Sequence, residues 1–225
     1  MGCHRSYKDG CAGAHALDIV GERWGLLVVR ELLLGPKRFS DLRESLPGIS
    51  PNVLSQRLGE LGEAGVLVHR RLPPPYSASV YELTEWGMEL ETVIAQIGSW
   101  GAKSPVLPRD YPLSVNSIVM SFRTMFDPSR AAGAEGSYEL DIAGETFCAT
   151  VLSDSIEIER GAAVDPLAVI SGEPTALAQL AYDDVELAAA VEYGLVGVSG
   201  DRRAVKRFFA LFTLPQPAAA PAAAA

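Results

Sequence analysis

The sequence predicts an α+β protein built from two domains. The first observation is a change of pattern, because helical apolar spacing dominates residues 1–103, whereas alternating strands followed by helices occupy residues 113–213. The second observation is the segment between them, residues 104–112, which holds three prolines without periodicity and is typical of a linker. The alanine-rich and proline-rich tail at residues 214–225 is predicted to be disordered.

Residues 39–65 predict two helices separated by a turn. The second helix starts at Ser50, because a serine followed by Pro51 is a typical helix start, and Gly65 ends it. One face of this helix is apolar, whereas the other is polar and mostly short. The polar residues of its first two turns are Asn52, Ser55, Gln56 and Arg57. This arrangement suits a DNA recognition helix, since amide and guanidinium groups can bond to base edges, but an ordinary surface helix remains an alternative.

A two-stranded ribbon is predicted directly after this helix. Residues 66–72 and 79–83 are the strands, and residues 73–77 form the turn. A ribbon in this position is a wing, so the segment has the order of a winged helix-turn-helix domain. Arg70 and Arg71 lie on the wing, where they would meet phosphate or the minor groove; the alternative is a solvated strand edge.

Four ordered segments carry a resemblance to a known family: Cys11–Trp24, Leu32–Leu42, Ile49–Leu58 and Tyr81–Gly87. Together they closely resemble the HxlR family of bacterial winged helix-turn-helix regulators, which is related to the MarR group, over about residues 11–103. The resemblance implies a dimeric transcription factor that binds double-stranded DNA; we expect a repressor, with an activator as the alternative. It assigns base reading to Ser50, Asn52, Ser55 and Gln56, and phosphate contact to Lys37, Arg38 and Arg57.

The helix after the wing carries an apolar stripe over two heptads. Thr84 is its predicted cap, and the stripe consists of Trp86, Leu90, Val93, Ile97 and Trp100. Such a stripe can close a core within the chain or pair with a partner helix. The family resemblance favours pairing, and so implies a homodimer formed by this helix and the N-terminal one.

The distribution of charge limits the surfaces that can meet DNA. The net charge of the chain is −9. Residues 1–103 hold 11 Lys and Arg and 12 Asp and Glu, a net charge of −1, whereas residues 104–225 have a net charge of −8. DNA binding must therefore come from local basic clusters in the first half. No apolar run is long enough to span a bilayer and no signal peptide is visible, so we expect a cytoplasmic protein without a membrane partner.

The three cysteines, Cys3, Cys11 and Cys148, are not expected to form structural disulfides in a reducing compartment. Cys3, His4, Cys11 and His15 do not have the spacing of a compact zinc site, and we expect no metal or other cofactor. Cys11 occupies the position of the N-terminal cysteine of HxlR-type regulators, which senses oxidants or electrophiles in some members. The resemblance makes it a candidate redox residue; the alternative is a structural cysteine near the dimer interface.

The second domain is predicted as three alternating strands in an antiparallel meander, then a further strand or loop, two helices, a strand and a closing helix. This order resembles the sterol-carrier-protein fold over residues 113–213, which implies an antiparallel sheet and an apolar small-molecule ligand bound without chemistry. The alternative is that its aromatic side chains fill a solid core. The candidate ligand-binding residues are Phe122, Phe126, Tyr138, Phe147, Val169, Leu180, Tyr182, Tyr193, Phe208 and Phe212.

No catalytic motif is present in the sequence, and the three histidines have no assignable carboxylate or nucleophile partner, so we expect no enzyme activity. Two functions of different classes remain. One is a DNA-binding regulator gated by an apolar effector in the second domain. The other is a lipid-binding carrier that uses the winged helix only for dimerisation. The polar face of the recognition helix favours the regulator, because a scaffold has no need of it.

Overall fold

The computed structural model describes residues 6–74 and 77–219. The chain folds into two compact units, with the boundary between Ile94 and Ala95. The tip of the predicted wing turn, the last residues of the predicted disordered tail, and Cys3 and His4 lie outside the described residues.

The first unit follows the predicted order of helices and strands. Its elements are α1 (Ala12–Val20), α2 (Gly25–Leu32), α3 (Phe39–Ser45), α4 (Pro51–Glu63), β1 (Leu67–Arg71), β2 (Ser79–Leu83) and α5 (Glu85–Met88). Helix α6 (Leu90–Gly101) starts in this unit. The predicted helix pair, the antiparallel ribbon of β1 and β2, and the cap at Thr84, whose hydroxyl accepts the N–H of Gly87 at 3.0 Å, are confirmed.

The connection between α1 and α2 is tight. A Cβ atom on Gly25 would lie 2.7 Å from the carbonyl oxygen of Val20, so only glycine fits there. Trp24, at the start of α2, has a left-handed backbone with φ of +81°, which a bulky residue rarely adopts. Its indole lies under the guanidinium of Arg23, 5.4 Å from the ring centroid. The turn therefore fixes where Glu22 emerges from the end of α1.

The second unit is an α+β layer structure. Its helices are α7 (Val115–Met125), α8 (Pro174–Tyr182), α9 (Leu187–Glu192) and α10 (Arg202–Phe209), with a short 3-10 helix at Pro128–Arg130. Its strands are β3 (Gly136–Ile142), β4 (Glu145–Val151), β5 (Ile156–Arg160), β6 (Ala168–Gly172) and β7 (Val196–Gly200), in the order β5-β4-β3-β6-β7.

The prediction of an antiparallel sheet was wrong in one pairing. The meander of β3, β4 and β5 is antiparallel, as predicted, but β6 pairs with β3 in parallel, so the sheet is mixed. The chain leaves the edge strand β5 and crosses to the far side of β3 before it pairs again. Two hydrogen bonds hold the crossing loop against β3. The backbone N–H of Ala163 donates to the Glu139 carboxylate at 3.0 Å, and the backbone N–H of Leu167 donates to the Ser137 carbonyl at 2.8 Å.

Aromatic side chains fill the core between this sheet and its helices. The rings of Phe122 and Phe212 stack with centroids 4.4 Å apart, and Phe208 lies 4.8 Å from Tyr138 and 6.0 Å from Phe122. All four side chains are buried. Tyr193 was wrongly expected to point into this space: it is 78% exposed, because it follows the last turn of α9 on the solvent side.

Within the described residues, no helix combines the length and the apolar character that a membrane span requires.

Candidate nucleic-acid interface

Helix α4 separates a buried face from an exposed one. Its apolar stripe, Leu54, Leu58 and Leu61, is buried in the first unit. Asn52, Ser55 and Gln56, on the opposite side of its first two turns, are exposed. The structure therefore brings three of the predicted base-reading residues together on one solvent-facing surface, which we call the reading face.

The start of α4 is capped as the sequence predicts. The Ser50 hydroxyl accepts a hydrogen bond from the backbone N–H of Val53 at 3.3 Å. Pro51 occupies the first helical position, where a backbone N–H would have no partner within the helix, so the missing N–H of proline costs no hydrogen bond. The helix dipole favours an anion near this end of the helix. The reading face therefore lies at the electrostatically positive end of the helix.

Arg57 does not belong to this exposed surface. Only 9% of it is exposed, and its guanidinium pairs with Glu60 at 2.6 Å and with Glu22 at 3.9 Å. Glu60 also accepts the Gln56 side-chain amide at 2.9 Å. The expected phosphate contact of Arg57 is therefore wrong. Glu60, at i+3 on the same helix, was a local signal for this ion pair, whereas the burial of Arg57 and its approach to Glu22 depend on packing between α4 and the end of α1.

Lys37 also lies inside the first unit. It is 9% exposed, and its ammonium contacts Glu31 at 2.9 Å and the Ser45 hydroxyl at 3.3 Å. Glu31 is completely buried, and its carboxylate also forms an ion pair with the guanidinium of Arg30, at 2.8 Å between Nη2 and Oε1. We call Arg30, Glu31 and Lys37 the buried charge cluster. Sequence reasoning missed it. Arg30 directly precedes Glu31, but the complete burial of the carboxylate and its contact with Lys37 cannot be read from the apolar pattern of this helix.

The backbone of Lys37 joins the wing. Its N–H donates to the Tyr81 carbonyl at 3.0 Å, and the Tyr81 N–H donates back at 2.8 Å, which adds a third, one-residue strand beside β2. The next residue, Arg38, is exposed and has no ion pair within the described part of the chain. The bridge thus places an available guanidinium at the start of α3, next to the base of the wing.

Arg43 on α3 is a further exposed cation that sequence reasoning missed. It makes no ion pair with any described residue. Leu42 and Leu46 are buried and form the apolar stripe of this helix. Arg43 lies outside that stripe, and this position in the sequence pattern could have predicted its exposure.

The two wing arginines differ from each other. Arg70 forms an ion pair with Glu82 of the opposite strand, and the Glu82 carboxylate raises the pKa of the Arg70 guanidinium. Arg71 is exposed, and no described carboxylate pairs with it. On the Arg71 side of the ribbon, the rings of His69 and Tyr81 stack 4.4 Å apart and stiffen the strands. Arg71 is therefore the more available cation.

Cys11 stands immediately before the first residue of α1 and is exposed. The backbone N–H groups of Ala14 and Gly13 at the start of that helix lower the pKa of its thiol, since they favour the thiolate. No such feature is evident from the sequence alone, because the start of α1 was not predicted from it.

This geometry can be compared with known proteins. The sequence profile of the HxlR-like helix-turn-helix family matches residues 19–106. The uncharacterized HTH-type transcriptional regulator YdeP of Bacillus subtilis (strain 168) is 37% identical over 98 residues, which cover 42% of this chain and 74% of YdeP. The chain belongs to the HxlR-like helix-turn-helix family.

Two further relatives are also HTH-type transcriptional regulators. The regulator YodB of Bacillus subtilis (strain 168) is 35% identical over 85 residues, 38% of this chain and 76% of YodB. The uncharacterized regulator Rv3095 of Mycobacterium tuberculosis (strain ATCC 25618 / H37Rv) is 36% identical over 111 residues, 48% of this chain and 67% of Rv3095. The solved structure of reduced YodB from B. subtilis covers 44% of this chain and 97% of its own, at 31% identity and a TM-score of 0.39.

The buried charge cluster gives a stability prediction. Replacement of Glu31 by Ala leaves the buried ammonium of Lys37 without a carboxylate, and we expect the free energy of unfolding to fall by about 3–5 kcal/mol. Urea unfolding followed by tryptophan fluorescence measures it. Glu44→Ala on the exposed side of α3 is the matched control and should change little. Equal losses in the two variants would contradict the structural role of the cluster.

Proposed function

We propose that this HxlR-like protein is a sequence-specific DNA-binding transcriptional regulator that acts as a homodimer. The observation that carries the proposal is the reading face: Asn52, Ser55 and Gln56 are exposed together at the capped, positive end of α4. A major groove admits a helix, and amide side chains there bond to base edges. The alternative of a carrier protein with a scaffold-only winged helix gives this polar surface no role.

Exposed cations surround this helix in the proposed complex. Arg38, Arg43 and Arg71 have no carboxylate partner among the described residues, and each can meet a phosphate. We leave Lys37 and Arg57 out of the contact surface, because their charges are used inside the unit. Arg70 remains a weaker candidate, since DNA phosphate would compete with Glu82 for it.

The dimer proposal rests on the apolar stripe of α5 and α6. Trp86, Val93, Ile97 and Trp100 are all exposed, and Trp100 reaches 78%. Leu17 on α1 is exposed as well. Large apolar side chains in a regular helical stripe are stabilised when a second copy covers them and removes them from water. A two-fold dimer also suits a regulator, since it presents two copies of α4 to one duplex.

A DNA prediction separates the two kinds of contact. Gln56→Ala should weaken binding to the operator about tenfold while binding to random DNA changes little, because removal of a bidentate base contact costs about 1–3 kcal/mol. Arg71→Ala should weaken binding to all sequences and reduce the slope of log affinity against log salt by about 0.9 for each phosphate that is no longer neutralised. Fluorescence anisotropy on the gene's own upstream DNA and on a scrambled duplex measures both. Equal losses for Gln56→Ala on the two duplexes would contradict base reading.

A second candidate function, redox or electrophile sensing, has a specific observation in its favour. The Cys11 thiol is exposed, lies at the start of α1 and has a lowered pKa, so more of it is the reactive thiolate near neutral pH. Solved structures of YodB from B. subtilis include quinone-bound and diamide-treated forms. We propose by analogy that modification of Cys11 releases DNA.

The sensing proposal predicts a separation of binding from response. Cys11→Ser should keep the operator affinity of the wild type but lose release by diamide or by a quinone, since the hydroxyl is not nucleophilic under these conditions. Cys148→Ser is the matched control, because Cys148 is half-buried in β4 of the second unit. Release of Cys11→Ser at wild-type reagent concentrations would rule out Cys11 as the sensor.

Gating by an apolar effector remains a prediction from the sequence alone. Among the ten candidate lining residues, Phe122, Tyr138, Phe208 and Phe212 pack against one another, as in a solid core. A cleft of about 350 Å³ opens in the second unit, but its walls are glycines, Asp141, Ser171, Glu173 and neighbouring residues, and none of the ten lines it. The packing favours the alternative, in which these aromatic residues are structural.

A further inference from the structure

The side chain of Gln56 has a fixed orientation in the structure. Its Nε2 donates to Oε1 of Glu60 at 2.9 Å, one helical turn further along α4. The other carboxylate oxygen of Glu60, Oε2, accepts Nη1 of Arg57 at 2.6 Å. Gln56 is exposed, whereas Arg57 is nearly buried. A single carboxylate thus links the outward-facing amide to an inward-facing guanidinium.

The chemistry of a carboxylate decides which way the amide points. An ionised carboxylate can only accept hydrogen bonds, so the nitrogen of the Gln56 amide must face Glu60 and its oxygen must face away. In the described part of the chain, nothing donates to that oxygen. Gln56 therefore offers the groove a carbonyl acceptor together with the second proton on Nε2.

Arg57 keeps Glu60 in place. Its guanidinium is confined by burial and lies 3.9 Å from Glu22, at the rigid connection between α1 and α2. Glu60 itself is only partly exposed. The orientation of Gln56 is thus set before DNA arrives, and less side-chain entropy is lost when the amide binds a base.

We propose that Glu60 is a positioning residue that makes Gln56 specific for adenine at one base pair of each half-site. Adenine presents an amino group and the N7 acceptor side by side in the major groove. The Gln56 oxygen accepts from N6 of adenine, and the second Nε2 proton goes to N7. This inference rests on the proposed function, because it requires that α4 lies in the major groove.

The same orientation disfavours the other bases. Guanine presents two acceptors, O6 and N7, so its O6 would face the Gln56 oxygen, and thymine presents the O4 acceptor. Cytosine offers an amino donor but no neighbouring acceptor, and would form one hydrogen bond instead of two. The negative charge of Glu60 strengthens this preference for adenine, because it repels base edges that carry mainly acceptors and attracts amino groups.

A panel of operator duplexes tests the proposal. Each duplex carries one of the four base pairs at one position of the half-site, and all positions are scanned with wild-type protein. We expect one position at which A·T is preferred over G·C by about tenfold or more, and at which Gln56→Ala removes the preference. Glu60→Gln should reduce the A-over-G preference at that same position to about twofold or less, because an amide at 60 can donate as well as accept and lets Gln56 turn over.

Glu63→Gln is the matched control. It removes the same charge from the same helix, and Glu63 is exposed without a hydrogen bond to Gln56. Both substitutions should raise affinity for every duplex through reduced phosphate repulsion, but Glu63→Gln should keep the A-over-G preference. Glu60→Asp keeps the charge and shortens the side chain, so it should lose the preference without the gain in affinity.

The outcomes separate this inference from the function on which it rests. Wild-type protein that binds all duplexes equally would overturn the proposed function itself. Specific binding with a Gln56-dependent preference for guanine, or an adenine preference that survives both Glu60→Gln and Glu60→Asp, would overturn only the positioning role. Circular dichroism shows that each variant is folded, and Glu60→Asp remains a valid test if Glu60→Gln is not.

Discussion

The first unit depends on the burial of one carboxylate. Glu31 is fully buried in the apolar helix α2, and a buried charge is tolerated only when it is paired. Arg30 and Lys37 provide the counter-charges, and Lys37 in turn bonds to Ser45 at the end of α3 and, through its backbone, to Tyr81 of the wing. One ionic contact thus joins α2, α3 and the wing, which are the elements that surround α4 in a DNA-binding domain of this order.

Local signals were sufficient to predict much of the fold. The start of α4 at Ser50 and Pro51 and the two wing strands follow from short-range patterns, and the structure confirms them. The parallel pairing of β6 with β3 could not be predicted in this way. It joins strands separated by a hairpin and a crossing loop, and nothing in the strand sequences themselves encodes that partner.

The sequence could predict which residues of α4 are exposed in the candidate site. It could not predict which cations are buried with carboxylate partners inside the folded unit. The helical spacing of the apolar residues in α4 predicts that Asn52, Ser55 and Gln56 share the opposite, polar face. Lys37 and Arg57 look in the sequence like free cations, but both pair with carboxylates. Glu60 is one turn from Arg57 on the same helix and was a local signal, whereas the burial of Arg57, its approach to Glu22 and the pairing of Lys37 with Glu31 depend on tertiary packing. This distinction also accounts for the near-neutral charge of residues 1–103: several of their cations serve the fold, and a few exposed arginines remain for phosphate.

In the proposed complex, two copies of α4 enter adjacent major grooves of one duplex. Hydroxyl-radical footprinting of the full-length protein on its own upstream DNA tests it most directly. We expect two symmetric protected segments whose centres lie about one helical turn apart, over an inverted repeat. Protection of a single unsymmetric segment, or uniform weak protection at every protein concentration, would contradict it.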